Sequence, residues 1–192
     1  MAKVVAFNCS PRKDGNTAIL LKAAFAELAA AGHETELVQL AGRPLRGCTA
    51  CMACARNKDR KCAQPDDGLN GYVEKMAAAD GIIIGSPTYF ADMTSDAKAL
   101  IDRAGYVGLQ NGGLYRRKVG AAVVAVRRGG AVHVFDSINH FFTINQMVIP
   151  GASYWNFGVG RNIGEVTGDE EGMRTMKVLG ENMSWLLTKL CA

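Results

Sequence analysis

No apolar run in this chain approaches the ~20 residues that a bilayer crossing requires, so no membrane span is expected. No leader is expected either, since Met1-Ala2-Lys3-Val4 runs straight into a strand-like stretch, and a cytoplasmic location is expected. Strong charge of one sign is also missing. Lys and Arg number 22 against 18 Asp and Glu, a net charge of +4. The basic residues gather only at Tyr115-Arg116-Arg117-Lys118 and at Arg127-Arg128. Nucleic-acid binding normally needs a clustered basic face, so it is disfavoured here. An anionic small ligand accounts for the same mild excess. Repeats, low-complexity tracts and linkers are absent, and a single domain spanning 1–192 is expected. The histidines His33, His133 and His140 show no metal spacing, and the carboxylates form no pair that can be placed across a cleft. Gly85-Ser86-Pro87 lacks the nucleophile-elbow pattern. The glycines at 158, 160 and 164 mimic a dinucleotide fingerprint without opening a strand–helix–strand unit.

What the chain does have is alternation. Strand-like apolar runs fall at 3–8, 34–40, 81–85, 119–126 and 147–154. Helical patterns fall at 17–31, 68–79, 94–103, 132–142 and 170–190. Strands alternating with helices imply an α/β fold, a parallel sheet covered on both faces. In the last helix Met173, Met176, Gly180, Met183, Leu187 and Leu190 form a stripe that suits packing on the sheet. Asp169 is a candidate cap for its start, and Gly32 a candidate end for the first helix.

In an open parallel sheet, ligands sit beyond the carboxyl ends of the strands at the topological switch point. Three segments should meet there. Residues 10–17 bring Ser10, Arg12, Asn16 and Thr17 to the start of a helix, an arrangement suited to a phosphate monoester. Residues 86–93 bring Pro87, Thr88, Tyr89 and Phe90, with flat surfaces for a ring. Residues 127–131 bring Gly129 and Gly130, which permit close backbone approach. A phosphate end with two ring-contacting loops describes a mononucleotide bearing a large planar ring.

These motifs, Ser10-Pro-Arg-Lys-Asp-Gly-Asn-Thr17, Ser86-Pro-Thr-Tyr-Phe90 with Lys98 and Asp102-Arg103, and Gly129-Gly130, resemble those of a known family. It is the flavodoxin-like NAD(P)H-dependent FMN reductases, in the multimeric-flavodoxin and iron–sulfur-flavoprotein branch. The resemblance covers essentially the whole chain. It implies a flavodoxin-like three-layer sandwich with strand order 2-1-3-4-5, bound FMN, NAD(P)H as co-substrate, and a homodimer or homotetramer.

The remaining motif is Cys48-x2-Cys51-x2-Cys54-x7-Cys62, in a long irregular stretch at 41–67. Thiols at intervals of three can converge on one cubane-sized centre, and iron–sulfur clusters use such runs plus a more distant Cys. Structural zinc more often uses two well-separated pairs. The spacing resembles the [4Fe–4S] motif of iron–sulfur flavoproteins, although the seven-residue interval is long for it. A cluster, free or redox-active thiols, and zinc all stay open. Cys9 and Cys191 receive no role. The expected function is FMN-dependent oxidoreduction, hydride passing from NAD(P)H to the flavin and electrons going on to a flavin, quinone or protein acceptor. No side chain is expected to act as nucleophile or general base. The alternative is a non-enzymatic carrier fed by a ferredoxin-like donor.

Overall fold

A computed structural model describes residues 1–42 and 45–191. Five parallel strands, β1 (Lys3–Asn8), β2 (Glu34–Gln39), β3 (Gly81–Pro87), β4 (Val119–Val126) and β5 (Phe157–Val159), form one sheet in the order β2-β1-β3-β4-β5. Helices are α1 (Asn16–Ala30), α2 (Ala53–Asn57), α3 (Leu69–Ala78), α4 (Ser95–Gln110), α5 (Ala131–Ile144) and α6 (Glu170–Leu190), with a 3-10 turn at Glu165–Gly168. The doubly wound fold is the one expected.

Alternation along each strand divides the core in two. Val5 and Phe7 of β1, Ile82 and Ile84 of β3, and Ala122, Val124 and Val126 of β4 pack with α3, α4 and α5. Val4 and Ala6, Ile83, and Val119, Ala121, Val123 and Ala125 point the other way, into α1 and α6. Every residue of β4 is buried, as a central parallel strand requires. The α6 stripe packs as expected through Met176, Met183 and Leu187, but Leu190 is exposed at the helix end. Asp169 caps α6, its carboxylate accepting from the Gly172 N–H at 3.0 Å. Gly32 follows α1 at φ +82°, the left-handed conformation expected of a terminating glycine.

Two elements differ from expectation. The fifth strand is not at 147–154. Val148 makes only a single bridge to Val119, and Pro150 then removes a donor. The chain leaves the sheet and returns at Phe157–Val159 beside Val124–Val126. Helix α4 runs seven residues past Arg103. Gly105 and Gly108 read as helix breakers, yet a Cβ at Gly108 would meet the Tyr115 ring at 2.5 Å, so the glycine makes room for an aromatic.

Candidate functional site

The first loop is built by its neighbours before it meets any ligand. Asn8, fully buried at the end of β1, accepts from the Ser10 N–H at 3.2 Å and donates to the Lys13 carbonyl at 3.1 Å. The Ser10 hydroxyl accepts from the Arg12 N–H at 3.1 Å. Gly15 precedes α1 without a capping side chain, which leaves the first-turn N–H groups without a side-chain acceptor at the helix end that carries the cleft residues Asn16 and Thr17. Cys9 is buried and its thiol is pushed far above the usual range by loss of solvent; it is inert.

The second loop is locked by Ser86 and Thr94. The Thr94 N–H donates to the Ser86 hydroxyl at 3.0 Å, and the Thr94 hydroxyl donates to the Cys9 carbonyl at 2.9 Å while capping α4. The Thr88 N–H donates to the Ala125 carbonyl at 2.9 Å, and Tyr89 and Asp92 exchange backbone bonds around a tight turn. Phe90 and Ala91 form its tip at φ 47° and 64°.

These loops enclose a cleft of about 180 Å³. Ser10, Arg12, Asn16, Thr17, Pro87, Thr88 and Tyr89 all line it, so seven of the ten flavin-contact residues expected from sequence converge. Phe90 does not; it stands fully exposed at the tip of the turn. Gly129 faces open space. Gly130 lies beneath the second loop, where a Cβ would meet the Ala91 Cα at 2.7 Å. The Asn16 side chain is already engaged at both ends: Nδ2 donates to the Asn162 carbonyl and Oδ1 accepts from the Gly164 N–H, both at 2.9 Å. It clamps a fourth loop to α1.

Sequence reading missed that fourth loop, which brings Gly160 and Arg161, and also Ala125; Arg127 lies in the third segment expected there, but that segment was read only for its glycines. Gly160 has no room for a Cβ, which would meet the Val166 N at 2.7 Å. Glu165 organises the loop by accepting from the N–H groups of Arg161 and Asn162 at 2.8 and 2.9 Å. Those bonds hold its carboxyl below the usual value. Arg12, Arg127 and Arg161 thus ring the cleft, with Arg12 Nη1 donating to the Arg161 carbonyl at 3.3 Å.

Two hydroxyls decide what the cleft can hold. Thr17 Oγ1 and Thr88 Oγ1 are buried, and neither has a hydrogen-bond partner. Such atoms cost free energy unless something supplies the missing bond. They come from different loops and line the same basic cleft, which suits a phosphorylated ligand with polar groups along its length. A larger groove of about 440 Å³ runs between α4 and α5. Its one basic chain besides His140, Lys98, pairs with Asp102, and Asp92 adds further negative charge; it is no phosphate site.

The second centre is the cysteine arm. Cys48, Cys51, Cys54 and Cys62 line one small cavity together with Arg103, Tyr106 and Val107. Ala50, Met52, Lys58 and Arg60 all have positive φ, so the arm is held in a strained backbone. It is fastened at the end of α4, where the Arg60 N–H donates to Asn111 Oδ1 at 2.9 Å, and at Asn70, which exchanges bonds with Cys62 at 2.8 and 3.1 Å. Cys48 and Cys51 are exposed, Cys54 and Cys62 half-buried. The Ala53 N–H holds the Cys51 thiol below its usual value, whereas burial pushes Cys54 up. Among the described residues no three His, Cys, Asp or Glu side chains are grouped to hold a metal ion.

Comparison with known proteins agrees with this architecture. The family described as NADPH-dependent FMN reductase matches residues 2–161. An iron–sulfur flavoprotein of Methanocaldococcus jannaschii is 37% identical over 189 residues, covering 95% of each chain. An iron–sulfur flavoprotein of Methanosarcina thermophila is 34% identical, covering 91% of this chain and 89% of its own. Among solved structures, RosB with bound 8-demethyl-8-formylriboflavin-5'-phosphate superposes with a TM-score of 0.79 at 20% identity, over 100% of this chain and 81% of its own.

Proposed function

The chain belongs to the NADPH-dependent FMN reductase family, and on that premise we propose that it is an FMN-dependent oxidoreductase of the iron–sulfur flavoprotein kind. When bound, FMN would supply hydride acceptance from NAD(P)H and delivery of one or two electrons to a flavin, quinone or protein acceptor. The chain's own residues bind and orient. The first-turn N–H groups of α1, Thr17 Oγ1 and Arg12 would hold the phosphate. Thr88 Oγ1, Pro87 and Tyr89 would meet the rest of the cofactor, with Arg127 and Arg161 closing the basic rim. Ser10 and Asn16 act mainly by fixing the loops. Phe90, bare at the tip of its turn, would reach a ring only from above the cleft or in a homodimer or homotetramer.

The single observation that carries this reading is the pair of orphaned buried hydroxyls, Thr17 and Thr88, on one arginine-ringed cleft. The four thiols on one cavity extend it: Cys48, Cys51, Cys54 and Cys62 would hold a [4Fe–4S] cluster. The same four thiols favour a second reading, an electron carrier fed by a ferredoxin-like donor. Absorption of protein purified without oxygen, with iron and sulfide assayed on the same sample, tests both centres. Steady NADH or NADPH oxidation with free flavin or quinone supports the enzyme. Reduction only by a ferredoxin-like donor supports the carrier. A colourless protein that takes up no FMN ends both.

A further inference from the structure

Arg103 stands in the wall of the cysteine cavity and is 2% exposed. A guanidinium there has given up its water and needs partners in exchange. Nη1 donates to the Asp67 carboxylate and to the Arg46 carbonyl, the latter at 3.1 Å. Nη2 donates to Cys62 Sγ at 3.4 Å. Nε is buried with no acceptor. A protonated thiol is a poor acceptor, whereas an anionic sulfur makes a charge-assisted bond. A buried cation aimed at a sulfur is therefore arranged for a negatively charged one. Asp67 in turn accepts from the Arg46 N–H at 3.0 Å, so the same carboxylate ties the arm to α4.

We propose that Arg103 is a positioning residue for a [4Fe–4S] cluster, holding Cys62 toward the cavity and raising the cluster's reduction potential through its N–H to sulfur contact. The inference rests on the cluster reading above. Potentials of such centres follow net charge and hydrogen bonds to the sulfurs. A cation beside one ligand favours the reduced state, which carries one more negative charge. Asp67 acts in the opposite sense. Its carboxylate faces the same guanidinium and offsets part of that charge. Groups that support a ligand in this way commonly matter as much as the ligand itself.

The test uses full-length protein with both cofactors, as wild type, Arg103→Gln, Arg103→Lys and Asp67→Asn. FMN per chain reports folding, since the cleft is built from other loops. Iron and sulfide report the cluster, and a dithionite titration followed by EPR reports its potential. The expected result is a negative shift in Arg103→Gln, a smaller negative shift in Arg103→Lys and a positive shift in Asp67→Asn. Loss of iron with FMN retained in Arg103→Gln, but not in Arg103→Lys, also supports the role. Wild type with FMN and no iron overturns the cluster reading and this inference with it. A wild-type cluster with unmoved potentials, or shifts of one sign in all variants, overturns the inference alone. Should Arg103→Gln hold no FMN, Arg103→Lys and Asp67→Asn decide by the same criteria.

Discussion

Thr17 and Thr88 each bury a hydroxyl that the protein itself leaves unsatisfied. Replacing Thr17 with Val removes a donor that the proposed phosphate would use while keeping the buried methyl that packs beside Gly85. FMN binding should weaken by ~1–3 kcal/mol while stability without FMN stays level or rises. Flavin fluorescence titration reads the first and urea unfolding the second; equal FMN affinity would remove Thr17 from the site. Asp67 allows a pH argument. Burial acts to raise its carboxyl, but the Arg103 and Arg46 donors outweigh that and hold it below the usual value. A lowered folded value means stability that is fully present above the unfolded pKa of ~3.9 and is lost as pH falls through the folded value. Asp67→Asn should therefore cost about 3 kcal/mol at neutral pH by leaving Arg103 uncompensated. The gap to wild type should close in acid. Urea unfolding at both pH extremes checks this, and a gap of constant size would exclude the carboxylate's charge as its source.

At the scale of elements, the site is a set of loops held by side chains from neighbouring strands and helices. Asn16 is the clearest case, since one amide fastens the 160–164 loop to α1. Asn16→Asp turns its donor into a second acceptor facing the Asn162 carbonyl. FMN affinity should fall through loss of Arg161 positioning, and hydrogen exchange should rise in residues 160–164 with little change in the sheet. Unchanged exchange there would show that the loop holds itself. The alternation of apolar strands and helices, and the loops after β1, β3 and β4, could be read from the sequence because each is local. The loop after β5 could not. The apolar run at 147–149 has the look of a strand, while the true strand, Phe157–Val159, is three residues long. Misplacing it concealed that Gly160 and Arg161 follow a strand end and so belong to the cleft. Asn8 was equally hidden, because a strand-ending asparagine shows its role only once its partners fold around it. The continuation of α4 past Arg103 depends on Tyr115 and Phe141, which lie beyond any local pattern.

Across the whole molecule, two apolar layers share one sheet, and the cysteine arm sits largely outside them, anchored in the core by Leu45 and packed against it through Cys54 and Cys62. Replacing all four clustered cysteines with Ala should therefore abolish iron binding while leaving FMN affinity within about twofold, a difference under ~0.5 kcal/mol. Parallel flavin titration and iron assay measure this, and loss of FMN in that variant would show that the arm supports the cleft. Another whole-molecule property follows from how β4 is covered. Its outer flank is met first by Val148, whose backbone exchanges bonds with Lys118 and Gly120 at 2.9 Å, and again by β5 beyond Pro150. A hydrophobic strand left with an open flank is a template for edge-to-edge association between molecules. Two short contacts separated by a residue that cannot donate leave no continuous ladder for a second chain to extend. The fifth strand is short as a result, and the most apolar strand of the sheet presents no continuous edge to a second molecule.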